Sequence, residues 1–407
     1  MDARTPGSRT ATAAGRLPLA GLLALAMTGF ICIATETLPA GLLPQMAAGL
    51  GVSPSLAGQT ITAYAAGSLL AAIPLTVATK GWRRRSVLMM TILGFLVFNS
   101  ITALSPSFVL TLAARFGAGM SAGLAWSLLA GYARRMVRPD QQGRAMAVAM
   151  VGTPIALSLG VPLGTWAGTL VGWRLAFGLM SLLTLVLVAW VLLAVPDYPG
   201  QAKGARMALR RVLATPGVRP VLGVVMAWML AHNILYTYIA PFVAPAGLGD
   251  RVDLVLLVFG VAALAGIWIT GRLVDRHLRG AVLASLGAFA LVALAFGLGG
   301  GSPAVVYAGT AVWGLSFGGA ATLLQTALAD SAGNGADVAL SMNVVTWNSA
   351  IAGGGLAGGV LLQAWGPVSF PWAMLALILA GLALAWTARP HGFPAGHRTG
   401  TGVARGH

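Results

Sequence analysis

Charge is what this sequence has least of. Of its 407 residues 8% are Asp, Glu, Lys or Arg, while 57% are hydrophobic, about a third of the charge that a soluble domain carries. A soluble fold is excluded. The single cysteine, Cys32, sits inside an apolar run, so neither an internal disulfide framework nor a thiolate metal site can be built. No H-E-x-x-H and no phosphate loop occur, which removes the minimum apparatus of zinc proteolysis and of ATP hydrolysis. Nothing in the sequence calls for a cofactor. Acids are scarcer than bases, 9 against 25, for a net charge of +16. A nucleic-acid partner would need those cations on one face. Here they recur in separate short loops.

What is present is apolar length. At roughly 20 residues per crossing, twelve runs span a bilayer: 18–43, 55–79, 86–104, 108–131, 145–168, 175–195, 221–244, 254–270, 281–298, 304–328, 339–362 and 370–386. The first follows Arg4, Arg9 and Arg16 as a secretory signal would, but it is longer than a signal's apolar core and more spans follow, so it reads as a retained helix. Cations mark the cytoplasmic side of a membrane protein. Those before span one, after spans two (Lys80–Arg85), four (Arg134, Arg135, Arg138, Arg144), six (Lys203–Arg219) and eight (Arg272, Arg276, Arg279), and in the tail all fall on one side. Both termini are therefore expected in the cytoplasm.

The polar stretch 196–220 separates six spans from six. The expected division is a tail at 1–17, a six-helix bundle at 18–195, the linker, a second bundle at 221–388, and a tail at 389–407. A constant offset of 195 superimposes the halves: Gly119, Ser121 and Gly123 fall on Gly314, Ser316 and Gly318, and Arg84 falls on Arg279. Six is even, so the repeats are parallel and related by a pseudo-two-fold axis along the membrane normal. The expected fold is an all-α integral membrane protein of two six-helix bundles.

Among nine acids only Glu36 lies well inside a span, and among 25 bases only Arg115 does. Ionisable groups at such depth mark function by default. Both stand roughly 10 Å from the same membrane surface at about 1.5 Å per residue, so they can share one cavity, where a glutamate can take up and release a proton. His232, Asn233, Tyr236 and Tyr238 on span seven offer hydrogen bonds to a polar substrate or, alternatively, between helices. The two G-x-S-x-G segments around Ser121 and Ser316 match the elbow of a serine hydrolase. They sit inside apolar spans at the repeat offset, where small residues at i and i+4 let helices approach, and Gly353, Gly355 and Gly358 read the same way.

Several segments together resemble the major facilitator superfamily, in particular its twelve-helix drug:proton antiporters and their arabinose-efflux-like branch. Span one reads Thr35-Glu36-Thr37-Leu38-Pro39-Ala40-Gly41-Leu42-Leu43-Pro44, span four Arg115-Phe116-Gly117-Ala118-Gly119, and span five Gly160-Val161-Pro162-Leu163-Gly164, followed by Gly172-Trp173-Arg174. The resemblance implies an antiporter motif at Gly160, Pro162 and Gly164, proton coupling through Arg115 with Glu36, and a central cavity lined by spans one, four, seven and ten. It also implies a cytoplasmic latch holding the two halves in one conformation. The latch pattern is complete at Gly271, Asp275, Arg276 and Arg279; after span two it keeps Arg83, Arg84 and Arg85 but has Lys80 in place of the Asp. The implied activity is proton-coupled efflux of a small organic molecule such as a drug, sugar or nucleoside, by a monomer in a bacterial inner membrane. A proton-independent facilitator or a passive channel is the alternative, a membrane hydrolase a more distant one.

Overall fold

The computed structural model describes residues 17–138, 141–200 and 209–394. Arg4, Arg9, Arg16, Lys203, Arg206, Arg398 and Arg405 lie outside the described residues, as does the side chain of Asp275. Twelve helices among those described are long and apolar enough to cross a membrane: α1 Leu19–Gly41, α2 Pro54–Ala78, α3 Arg84–Leu104, α4 Phe108–Arg135, α5 Arg144–Val171, α6 Trp173–Ala194, α7 Val218–Thr237, α8 Gly249–Val274, α9 Arg276–Gly299, α10 Pro303–Ala332, α11 Val338–Trp365 and α12 Pro367–Thr387. Helix is forced by lipid, because a backbone that meets no water must satisfy its polar groups within the segment. Large apolar side chains such as Leu104, Leu193, Trp166 and Trp268 point outward, whereas Arg115, Asn99, Thr35 and Thr60 are buried. Apolar side chains thus cover the outside as well as fill the core.

The sequence repeat is a packing repeat. Gly119 and Gly123 of α4 lie against the backbone of Tyr64 and Ser68 in α2, and Gly314 and Gly318 of α10 lie against Phe259 and Ala263 in α8; a Cβ at any of the four would overlap a carbonyl. Ser121 donates to Gly117 O and Ser316 to Trp313 O within their own helices. The G-x-S-x-G segments are thus helix-packing surfaces. In α5, Gly160 meets the ring of Phe30 and Gly164 the side chain of Leu38, so this glycine pair packs α5 on α1. Just before Pro162 the chain widens to a π-turn at Ala156–Gly160, because Pro162 brings no N–H to the carbonyl of Ser158. The turns repeat as well. Only glycine readily takes the positive φ of Gly172 (87°) between α5 and α6 and of Gly366 (72°) between α11 and α12.

Two departures from expectation shape the site. The stretch 271–279, expected as a loop, is instead the ends of α8 and α9, two helices that meet across a kink at His277 (φ −135°, ψ 35°); no proline stands there. The first span of each half is broken instead. α1 stops at Leu42 and a short helix, Leu43–Leu50, follows; α7 stops at Tyr238 and Ile239–Val243 follows. Pro39 and Pro44 flank the first break and Pro241 follows the second, each removing a helical N–H.

With twelve candidate spans the start of α1 and the end of α12 lie at one face. The described polar contacts between the halves lie towards the other, where the start of α2 meets the end of α11: Ser55 Oγ donates to Gly359 O at 2.9 Å and Gln59 Nε2 to Gly355 O at 3.2 Å. Nearer mid-membrane Gly260 of α8 packs on Ser158 of α5. The halves are sealed together at the face remote from the termini.

Candidate functional site

Arg115 is fully buried, and its donors go to backbone. Nη1 donates to Thr35 O at 2.6 Å, Nη2 to Glu36 O at 3.2 Å and Nε to Thr60 O at 3.3 Å. The first of these follows from the sequence: Thr35 is four residues before Pro39, so its carbonyl has no helical N–H to accept from. The guanidinium takes that place. The rings of Tyr64 and Phe177 flank it at 4.9 and 5.6 Å, an arrangement that stabilises a cation away from water. Glu36 and Arg115 therefore meet, but through the Glu36 backbone; no ion pair joins the guanidinium to the Glu36 carboxylate among the described residues. That side chain is half-buried rather than enclosed.

Sequence reasoning missed the groups that complete this junction. Tyr64 donates to Cys32 O at 2.9 Å and Asn99 Nδ2 to Thr35 Oγ1 at 3.0 Å, tying α2 and α3 to the same turn of α1. Asn99 Oδ1 is buried without a partner. A polar side chain inside an apolar span was the available signal for Asn99; for Tyr64 there was none.

Of the four α7 candidates the structure brings two together. His232 and Tyr236, one turn apart, both meet Phe259 and Trp313; the imidazole also stacks on Phe317 with centroids 3.6 Å apart and lies 5.1 Å from Tyr236. Trp313 Nε1 donates to His232 Nδ1 at 3.2 Å, an assignment that leaves any proton of a neutral ring on Nε2. Tyr236 Oη faces Thr37 of α1, but the geometry falls short of a hydrogen bond and the buried hydroxyl has no partner. The Thr37 hydroxyl itself donates to Ile33 O. Asn233 turns away, donating to Met229 O at 2.8 Å, with its Cβ against Gly354. Tyr238 is fully buried between α2 and α11. Neither joins the ring cluster around His232.

Of the arginines expected in a latch, Arg279 holds the last helix of its own half. Arg279 Nη1 donates to Ala385 O (2.9 Å) and Phe393 O (3.1 Å), and Nη2 to Trp386 O (3.1 Å), closing the C-terminal carbonyls of α12 as a cation at a helix end should. Gly271 and Arg276 are exposed. At the equivalent place in the first half, Arg84 donates to the carbonyls of Thr79 and Lys80, and its N–H to Tyr198 O at 2.8 Å. The carboxylate absent at position 80 comes from Asp197, just after α6: it pairs with Arg83 and accepts from the Arg85 N–H at 3.1 Å. Tyr132 Oη to Pro196 O (2.7 Å) and Arg135 to Pro199 O (2.9 Å) bind the same segment to the end of α4. Desolvation pushes the Asp197 carboxyl up, but the hydrogen bonds from Arg83 and Arg85 with their charges outweigh it and hold the group below the usual carboxylate range. With the folded value depressed, this contribution is complete at neutral pH and fades only as pH falls through that lowered value. Asp197→Asn should cost at most about 1 kcal/mol, because Arg83 is exposed, yet limited proteolysis should cut faster at 196–200. Lys80→Ala should leave that rate unchanged; equal rates for both variants would contradict the assignment.

These features have relatives. The family model described as Major Facilitator Superfamily matches residues 25–355. The purine ribonucleoside efflux pump NepI of Escherichia coli O6:K15:H31 is 29% identical over 387 residues, covering 94% of this chain and 95% of the pump. The transcription regulatory protein OpdE of Pseudomonas aeruginosa is 32% identical over 304 residues, 73% of this chain and 75% of its own. Among solved structures, a bacterial homolog of the human lysosomal transporter Spinster, inward-facing and occupied, superposes with a TM-score of 0.74 at 13% identity over 93% of this chain and 98% of its own. The human organic anion transporter MFSD10 (TETRAN) gives 0.69 at 18% over 91% and 100%. On the family match and the shared twelve-helix fold, this chain belongs to the Major Facilitator Superfamily and is a multi-pass membrane transporter.

Proposed function

We propose that this chain exports a small polar organic molecule in exchange for protons, alternating access between the two membrane faces as its halves rock against one another. The observation that carries the reading is Glu36. It is the one carboxylate well inside a span, half-buried, on the α1 turn that Arg115, Tyr64 and Asn99 hold rigid, and a group that changes charge there gives a proton a way to drive the cycle. His232 and the unpartnered Tyr236 hydroxyl supply the polar edge of the substrate cavity on the opposite half. The arginine-rich face holding both termini is the cytoplasmic face of a bacterial inner membrane, and the protein works as a monomer.

The relationship to NepI makes purine ribonucleosides the first compounds to test, with sugars and hydrophobic drugs beside them. Purified protein in liposomes carrying a pH-sensitive dye should acidify or alkalinise the lumen when substrate is added on one side, with saturation. Substrate movement without proton movement would replace exchange by facilitated diffusion. Tyr236→Phe keeps the ring against Phe259 and Trp313 and removes only the hydroxyl, so KM for a hydroxyl-bearing substrate should rise about 5- to 10-fold, the worth of one hydrogen bond, with little change in folding. An unchanged KM across the panel would remove Tyr236 from the site.

A further inference from the structure

Tyr238 stands where α7 breaks (φ −115°, ψ 32°), and its ring fills a socket of glycines. A Cβ at Gly58 of α2 or at Gly358 of α11 would overlap the ring, and one at Gly359 would crowd the hydroxyl at 2.8 Å. The hydroxyl reaches both halves at once. Its proton points to Gly355 O at 2.8 Å, with Ser55 O at 3.2 Å, and its oxygen accepts from Gln59 Nε2 at 3.2 Å. Gln59 also donates to Gly355 O. Gln59 reaches Ser55 O as well, at 3.3 Å, so the fully buried hydroxyl and the Gln59 amide together bridge the same two carbonyls of α2 and α11.

We infer that Tyr238 is the peg of a lock that seals the remote face: seated, it holds α2 against α11; withdrawn by a swing of the short Ile239–Val243 helix about the break, it lets the halves part there. Two features make the seal reversible. The partners across the halves are neutral hydrogen bonds with no ion pair among them, each modest in net worth, and the break gives the peg a pivot independent of the rest of α7. Tyr236 lies two residues away, so a molecule bound against its hydroxyl acts directly on the pivot. The lock rests on the alternating-access part of the proposed function but not on proton coupling or on what is carried.

The test uses a cysteine reporter at Thr37→Cys, half-buried beside Tyr236, in a Cys32→Ser background, with an impermeant maleimide applied to one face or the other of oriented vesicles. In Tyr238→Phe, labelling from the remote face should rise about tenfold relative to the wild-type lock while labelling from the face of the termini falls, as expected for a shift between two states after the loss of one or two neutral hydrogen bonds. Gln59→Leu, which removes the partner from the other half, should do the same. A loosened or misfolded protein would label faster from both faces. That result, or unchanged rates in both variants, overturns the lock. Proton flux is measured separately, so failure of coupling and failure of the lock are told apart.

Discussion

Glu36→Gln protein should reach the membrane, exchange substrate for substrate at a rate near that of wild type, and lose pH-driven export altogether. Glutamine keeps the shape and the hydrogen-bonding capacity of a protonated glutamate but cannot ionise, so the variant is held in one charge state through the whole cycle. Exchange needs no change of charge state; net export against a gradient does. Folding should be spared because the contacts on this turn use the Glu36 carbonyl and the neighbouring Thr35 and Cys32 groups, none of which the substitution alters. Vesicles loaded with substrate and given an imposed pH gradient measure both activities in one preparation. Equal pH-driven export by variant and wild type would remove Glu36 from the coupling and assign the proton to another group.

The twelve spans and the internal repeat were legible because lipid imposes long apolar runs, and because the glycines that pack α4 on α2 and α10 on α8 are a local signal at a fixed offset. Glu36 and Arg115 stood out for the same reason: charge inside such a run is conspicuous. What these residues touch was not legible. Equal depth suggested a shared cavity and nothing about partners, and the guanidinium goes to the carbonyl that Pro39 leaves without a donor. The signal, a proline four residues after Thr35, was in the sequence, but only packing decides which cation fills the gap. Asp197 lay among cations, flanked by Pro196 and Pro199, in a segment read as mere linker. On a continuous span seven, 221–244, Tyr238 groups with Tyr236. The break at 238, with Pro241 beyond it, turns one tyrosine towards α1 and the other into the glycine socket. The stretch 271–279 was read as a loop from its polarity. Polar residues at a membrane surface can stay helical when no proline intervenes, and there the structure continues the helix to His277.

The contact between Arg115 and the proline-freed carbonyl sets up the other large effect. Arg115→Gln should lower stability by about 2–4 kcal/mol, since it removes a buried cation, leaves the carbonyl of Thr35 without a donor and removes the added bonds to Glu36 O and Thr60 O. Arg115→Lys should lose nearly as much, because one ammonium cannot reproduce three donors held in a plane. The sequence offers a specific compensation. Pro39→Ala restores an N–H that can close the helical bond to Thr35 O, so in that background Arg115→Gln should cost less by about 1 kcal/mol, the net worth of the hydrogen bond no longer broken. Thermal melts of wild type, the two single variants and the double variant in detergent form the cycle that isolates this term. Additive losses would mean that Arg115 stabilises α1 through its charge and its aromatic neighbours alone. A positive coupling would make the pair a single device, in which Pro39 opens the helix at the turn that carries Glu36 and Arg115 fixes how far it opens.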